Sequence, residues 1–393
     1  MAEEDSGGAK GAGGRDSEGN GGVGGDAVLN WEQRPLEAVA TLQRGYDLPV
    51  QDRRDGTVPI FAANGIVGFH AEHQARGPGV VTGRSGSIGK VHYSEGPYWP
   101  LNTSLYVKNF HGNEPRYIYW LLRQMRLEQY HEGTGVPTLN RNVVHRELVP
   151  VPPLPEQRRI AAILDKADAL RAKRREAIAK LDQLLQSVFL DMFGDPVTNP
   201  KGWPKATIGE LASFITSGSR GWAAHYSESG ALFIRIQNLV GGELDMEDCA
   251  FVNPPDSAEA RRTLVQPGDV LVSITADLGR TAVVPTDIGR AHINQHIAIL
   301  RLVDVNPAFV SHFLASSGGQ QQFQKLNRSA VKAGLNFNDL RSLEVLMPSQ
   351  AVQEKYLSVI AKVRASQVQM TNQLLKSDLQ FAALQQQAFQ GNL

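Results

Sequence analysis

The chain has 393 residues, 41% of them hydrophobic, which is enough for two or three domains that each bury a core, and its formal net charge is zero. No apolar stretch in the opening could serve as a signal peptide or membrane span, so a soluble cytoplasmic protein is expected. Cys249 is the only cysteine, which excludes an internal disulfide and cysteine-based structural zinc and fits a reducing compartment. The neutral sum hides a split: the first 26 residues hold six acidic and two basic side chains, leaving 38 basic against 34 acidic in the rest. A protein that grips nucleic acid alone usually carries more positive charge, so either it does not bind nucleic acid or partner subunits supply much of the phosphate contact.

In chain order, residues 1–26, with ten glycines, are predicted to be a disordered tail. Residues 27–153 read as mixed α and β. Val58–Phe61 and Gly79–Thr82 are strand-like, Asn64-Gly65 and Gly86 mark turns, and Tyr117–Gln129 is helical with Ile118, Leu121, Leu122 and Met125 on one face. Val149–Pro155, with prolines in series, predicts a stiff polyproline connector. A spacer helix is then expected within 154–195, opening at Glu156 and stopped by Gly194, Asp195 and Pro196. Its seam of apolar or long-stemmed side chains includes Ile160, Leu164, Ala167, Ile178, Leu185 and Val188, stepping by four and three as in a coiled coil. At roughly 1.5 Å per residue such a rod would be on the order of 57 Å long. Arg171 and Arg174 fall on the same seam and need partners if buried.

Residues 196–349 repeat the mixed pattern, with Leu232–Ile236 and Val270–Ile274 as the clearest strands. A second long helix is predicted within 350–393, carrying Tyr356, Ile360, Val363, Met370, Leu374, Phe381 and Leu384 in the register of the first. Two helices of matching length and phase, each too apolar on one side to stand alone, are expected to pair antiparallel. The fold class is therefore α+β: two mixed α/β domains separated by two long antiparallel coiled-coil helices, an internal tandem repeat with pseudo-two-fold symmetry.

The repeat has a spacing of about 196 residues. Leu139-Asn140 returns as Leu335-Asn336, Val149 as Val345, Pro152 as Pro348 and Gln157 as Gln353. Inside the mixed parts, Gly79–Lys90 lines up with Asp269–Arg280, each a strand, a polar turn and then Gly followed by a base. Leu101-Asn102 lines up with Ile293-Asn294.

Three near-motifs suggest enzyme chemistry and fall short of it. Asn253-Pro-Pro-Asp256 resembles the tetrad of amino-methyltransferases, but Asp256 cannot stack on a flipped base as an aromatic ring does. Gly83–Lys90 resembles a phosphate-binding loop but has five residues rather than four between its glycines, and Val91 where a magnesium-ligating hydroxyl belongs. His70 and His73 have no third ligand that can be placed with them. No catalytic residue, bound cofactor or metal is assigned to this chain.

Leu139-Asn140 followed by Val149–Gln157 and the long helix, the Arg84–Lys90 turn, and Gly202-Trp203 with Gly268–Val272 together resemble the specificity subunits of type I restriction-modification systems. The resemblance covers nearly everything after the tail. It implies a non-catalytic subunit with two target-recognition domains, 27–153 and 196–349, each reading half of a bipartite DNA sequence, while the helices set the unread gap. It also implies two copies of a DNA adenine methyltransferase subunit and separate restriction and translocase subunits as partners. S-adenosylmethionine, ATP and Mg would be held by those partners. The second connector, Val345–Gln350, departs from the pattern by lacking the proline run.

Polar and basic side chains in turns between strands are the expected base and phosphate contacts, because Arg, Asn and Gln can pair two hydrogen bonds with a purine edge. They are Arg44, Tyr46, Arg53, Arg54, Asn64, Arg84 and Lys90 in the first domain. In the second they are Ser219, Arg220, Arg235, Gln237, Asn238, Arg280, Asn327, Arg328 and Lys332. Two other readings stay open: a scaffold whose two domains bind proteins instead of DNA, and an enzyme with an unrecognised site.

Overall fold

The computed structural model describes residues 31–132, 137–218, 220–327 and 334–393, so the tail expected to be disordered lies outside the described residues. The chain divides into two units, Met1–Arg171 with Lys376–Leu393, and Ala172–Leu375. The division falls inside both long helices, after Arg171 in the first and after Leu375 in the second. Each unit thus holds one mixed α/β part and one portion of each long helix.

In the first unit, four antiparallel strands lie in the order Thr41–Arg44, Ser104–Asn109, Gly79–Gly83 and Val91–Ser94. A second sheet has the order Gly65–His70, Val58–Ala62 and Trp99–Pro100, the last pair parallel. The second unit rebuilds the same plan. Ala212–Ser217, Ile297–Leu302, Val270–Ser273 and Thr281–Val283 take the places of the first four strands, and Gly242–Leu244 and Leu239–Val240 extend the sheet. Its smaller sheet runs Tyr226–Ser227, Ala250–Val252, Ala231–Ile234 and Ala291–Ile293, and again the last pair is parallel.

Each repeat signature has a physical reason. Leu139 and Leu335 are buried, and the asparagines after them cap short helices, Asn140 accepting from Asn142 N and Asn336 from Asn338 N and Asp339 N. Gln157 and Gln353 are also buried, and each donates from Nε2 to the carbonyl of the repeated proline, Pro152 or Pro348, at 2.9 Å. An unpaired amide in either place would carry a desolvation cost. Gly45 and Gly218 are a pair that the alignment does not single out. A Cβ on either would meet a backbone oxygen, of Leu101 at 2.2 Å or Asn294 at 1.9 Å, so only glycine fits.

Three expectations need correction. The Val149–Pro155 segment is not a polyproline connector: Leu148–Val151 is a strand paired antiparallel with Glu32–Pro35, and the helix opens at Leu154 with Pro155 in its first turn. A two-stranded ribbon has a free edge on each strand, so Pro150, which lacks an N–H, can be placed there, and proline is compatible with a first helical turn. The second connector forms the same pairing, Glu344–Leu346 with Lys205–Thr207, without the proline run. The helix expected over Tyr117–Gln129 spans Pro115–Gln124, because Arg126 takes φ 49° and Leu127–Tyr130 continues as a 3-10 turn. The strand expected over Leu232–Ile236 stops at Ile234, where Ile236–Asn238 forms another 3-10 turn.

The long helices run Leu154–Phe193 and Gln350–Gln390. Within the first unit, Ile160 and Leu164 share a buried core with Phe381 and Ala388, near the start of one helix and the end of the other. Within the second, Phe189 and Phe193 pack on Tyr356 at 5.8 and 5.1 Å between ring centroids, and Gln367 donates to Asp182 at 2.7 Å. In both units the pairing is antiparallel, and every seam residue named above is buried or half-buried. Arg171 has the partner its burial demands: it donates to Asp378 at 2.6 Å and Asp168 at 2.8 Å, and its guanidinium lies 4.1 Å over the Phe381 ring.

Phe193 is fully buried among Phe189, Phe309 and Tyr356. Phe193→Ala is expected to destabilise the protein by about 3–5 kcal/mol, read as a lower urea midpoint. Burial first, and then Arg290 or Arg364, holds His292 and His312 down at about 4 from the usual 6.5. Between those values the unfolded chain binds more protons than the folded one, so stability is complete above pH 6.5 and declines as pH falls toward 4. The urea midpoint should therefore drop over that window, less steeply in His312→Leu; a flat profile in the wild type would contradict the assignment.

Candidate functional site

The turn after strand Gly79–Gly83 is tied to its surroundings by backbone hydrogen bonds and by a glycine. A Cβ on Gly83 would lie 1.9 Å from the Ser87 carbonyl oxygen, so glycine lets the loop fold back on the strand end. Backbone bonds fix it from two sides: Arg84 N and Ser85 N donate to Thr103 O at 2.9 and 3.2 Å, while Leu139 N donates to Arg84 O at 2.8 Å. The second unit repeats the last contact, Leu335 N to Ile274 O at 2.9 Å, and the bridges Ser85 to Thr138 and Thr275 to Gly334 correspond. The same cap-and-turn contact is thus built twice.

Around the first of these turns, Arg44, Arg84, Arg141 and Asn142 line an open cavity of about 420 Å³ with Thr138, Leu139 and Asn140. Arg84 is half-buried, its Nε donating to Asn102 O at 3.0 Å, so the head of its guanidinium is aimed rather than free to wander. Arg44 is exposed at its strand end. Arg141 and Asn142 were absent from the expected set. The signal was available, because both directly follow the repeated Leu-Asn pair and sit in the first turn of the helix that Asn140 caps.

Elsewhere in the first unit, Lys90 Nζ lies 3.4 Å from Asn64 Oδ1, both exposed. Arg54 is exposed and paired with Glu72. Arg53 is half-buried with its Nε unpartnered. Tyr46 turns its hydroxyl to Tyr106 at 3.0 Å, leaving less of it for a ligand than expected. His70 is buried, accepts from Arg54 N at 2.9 Å and packs edge-on against Trp99, a structural use.

In the second unit the expected residues that are described are mostly engaged within the fold. Asn238 is the clear correction: it is buried, with Oδ1 accepting from Arg235 N and Nδ2 donating to Asp245 O and Asp248 O. Its amide holds the 3-10 turn and cannot also read a base. Arg235 and Gln237 both reach Asp248, at 3.0 and 2.5 Å, and Arg280 reaches Asp277 at 2.5 Å. Arg220 and Asn327 are exposed. Ser219, Arg328 and Lys332 lie outside the described residues. Sequence reasoning missed the half-buried set Thr275, Gln295 and His296, in which Thr275 Oγ1 is 2.5 Å from His296 Nδ1 and Gln295 Nε2 is 2.9 Å from His296 Nε2.

The near-motifs resolve as structure. Asn253–Asp256 is a loop in which Asn253 N donates to His225 O at 2.9 Å and Asp256 pairs with Arg261. Among the described residues no group of three or more His, Cys, Asp or Glu is arranged to hold a metal, and no helix is long and apolar enough to cross a membrane.

Residues 29–180 match the family described as the type I restriction modification DNA specificity domain, so the resemblance read from the sequence is borne out. The chain is 22% identical over 229 residues to the specificity subunit of the type I restriction enzyme MjaVIII of Methanocaldococcus jannaschii, covering 52% of each. It is 21% identical over 291 residues to the specificity subunit of EcoBI of Escherichia coli, covering 66% of this chain and 61% of that one. The matches thus span about half and three fifths of these relatives. Among solved structures, the type I restriction-modification S subunit from M. genitalium shares the fold, with a TM-score of 0.60 at 15% identity over 93% of this chain and 98% of that one.

Asn238→Ala should destabilise the protein by about 1–3 kcal/mol, since three backbone groups lose a partner. Gln237→Ala, one residue away and exposed, should change stability by less than about 0.5 kcal/mol in the same denaturation series.

Proposed function

We propose that this chain, which carries a type I restriction modification DNA specificity domain, is a non-catalytic subunit that reads a bipartite DNA sequence and directs partner methyltransferase and restriction subunits to it. The observation that carries the reading is the duplicated plan: two mixed α/β parts, each with the same cap-and-turn contact, each followed by a long helix. One such part would read each half-site, and the helices would set the unread spacer. In the first part, Arg44, Arg84, Arg141 and Asn142 supply side chains of the type that pair with guanine and adenine edges or with phosphates.

The outer helix faces support docking of such partners. Leu379, Leu375 and Val368 are 73, 58 and 63% exposed, and Leu170 and Leu184 are also exposed. Apolar side chains in such number on long helices fit docking of protein subunits, here two copies of a DNA adenine methyltransferase and then the restriction and translocase subunits. S-adenosylmethionine, ATP and Mg would bind those subunits. Such partners would also supply phosphate contacts that this nearly neutral chain lacks.

Exchange of residues 27–153 for the equivalent part of a relative should change one half of the recognised sequence and leave the other half intact. A change in both halves, or in neither, would contradict two independent reading parts. Leu375→Asp with Leu379→Asp should cut co-purification of the methyltransferase subunit more than tenfold without lowering the urea midpoint of the chain. An equal yield of complex would place docking elsewhere.

A further inference from the structure

In the first unit, strand Gly65–His70 is an edge of its sheet with no strand paired on its outer side among the described residues, and Ile66, Val67 and Phe69 on it are 55, 45 and 55% exposed. Its counterpart in the second unit, Ala250–Val252, is covered on that side by Tyr226–Ser227. The two repeats therefore treat the same edge in opposite ways. An uncovered apolar edge is a liability that proteins usually blunt with charge, proline or a covering segment, so its retention in one repeat calls for an occupant.

Charge selects the occupant. The hairpin turn presents Asn64, and Lys90 Nζ stands 3.4 Å from its side-chain oxygen. Against the middle of the strand, Arg53 Nη1 lies 3.7 Å from the point that a Cβ on Gly68 would take. Neither Lys90 nor Arg53 has a carboxylate partner among the described residues, whereas the neighbouring Arg54 is neutralised by Glu72. Two cations that form no ion pair, one at the turn and one against the middle of the strand, match phosphates running beside an apolar feature. Duplex DNA offers that arrangement in the major groove, which admits a two-stranded β-ribbon and displays the thymine methyl.

Resting on the DNA-reading function above, we propose that hairpin Val58–His70 enters the major groove of the first half-site, where Ile66, Val67 and Phe69 contact thymine methyl groups while Arg53 and Lys90 hold the flanking phosphates. The first head then reads thymine by apolar contact, and the second head, its edge covered, reads without it.

The test uses the full-length chain and a pool of duplexes with 40 random base pairs. Wild-type protein should select a split motif; selection of no motif would overturn the DNA-reading function itself. The selected duplex is then remade with deoxyuridine for thymine in one half-site at a time, which removes only the methyl. Loss of a contacted methyl should weaken wild-type binding about fourfold per methyl in the first half-site. Ile66→Ser with Val67→Ser and Phe69→Ser should abolish that difference while keeping the second half-site. Equal sensitivity of wild type and variant to deoxyuridine would overturn the hairpin assignment and leave the DNA-reading function standing. So would light scattering that shows a wild-type dimer and a monomeric variant, because a second copy would then cover the edge.

Discussion

The junction of each mixed part with its long helix is the constraint on which the rest depends. A short antiparallel ribbon closes each part, pairing Gln33 with Pro150 in one and Ala206 with Val345 in the other. Immediately after it a buried glutamine ties the first helical turn to the proline carbonyl at 2.9 Å. In the first junction Gln157 also accepts from Glu114 N and donates to Asn113, so one amide joins the ribbon, the head and the helix. A flexible joint would lose the register between each mixed part and the helix that carries it. Burying a fully bonded amide there makes the joint specific, because any other arrangement leaves polar atoms unpaired.

Attachment continues along the helix by different chemistry in the two units. In the first, Asp165 accepts from Arg116 at 2.7 Å and from Trp120 Nε1 at 2.8 Å, and the Arg116 guanidinium lies 4.4 Å over Tyr93 and 4.7 Å over Tyr119. In the second, the same work is done by rings: Phe189, Phe193, Phe309 and Tyr356 pack within one core. Duplication has preserved the geometry of attachment and replaced its chemistry. Low identity between the repeats is the expected result.

How much of this was legible in the sequence depended on whether the deciding forces were local. The long helices were, because period and stop signals are properties of neighbouring residues: the first ends where Gly194 adopts φ 79° and Gly194 N reaches back to Leu190 O. The Leu-Asn and Pro-Gln repeats were visible too, although their meaning as cap and junction emerged only with the contacts. The ribbon at Leu148–Val151 was not legible, because its partner lies more than a hundred residues away and its prolines argue locally for another conformation. Single-residue roles were the least legible. Asn238 and Gln237 are adjacent and similar in chemistry, yet one is buried and bonded to backbone while the other is exposed. Tertiary burial, to which composition is blind, separates them.

The proposed function requires the two mixed parts on their long helices to read one split DNA sequence. Its most direct test is to express the chain with its neighbouring methyltransferase subunit in a host free of DNA methylation and to map modified adenines across the genome by long-read sequencing. Methylation should be confined to a single motif of two short half-sites separated by a fixed unread gap. Methylation at one continuous motif, or none despite a stable complex of the two chains, would contradict that function.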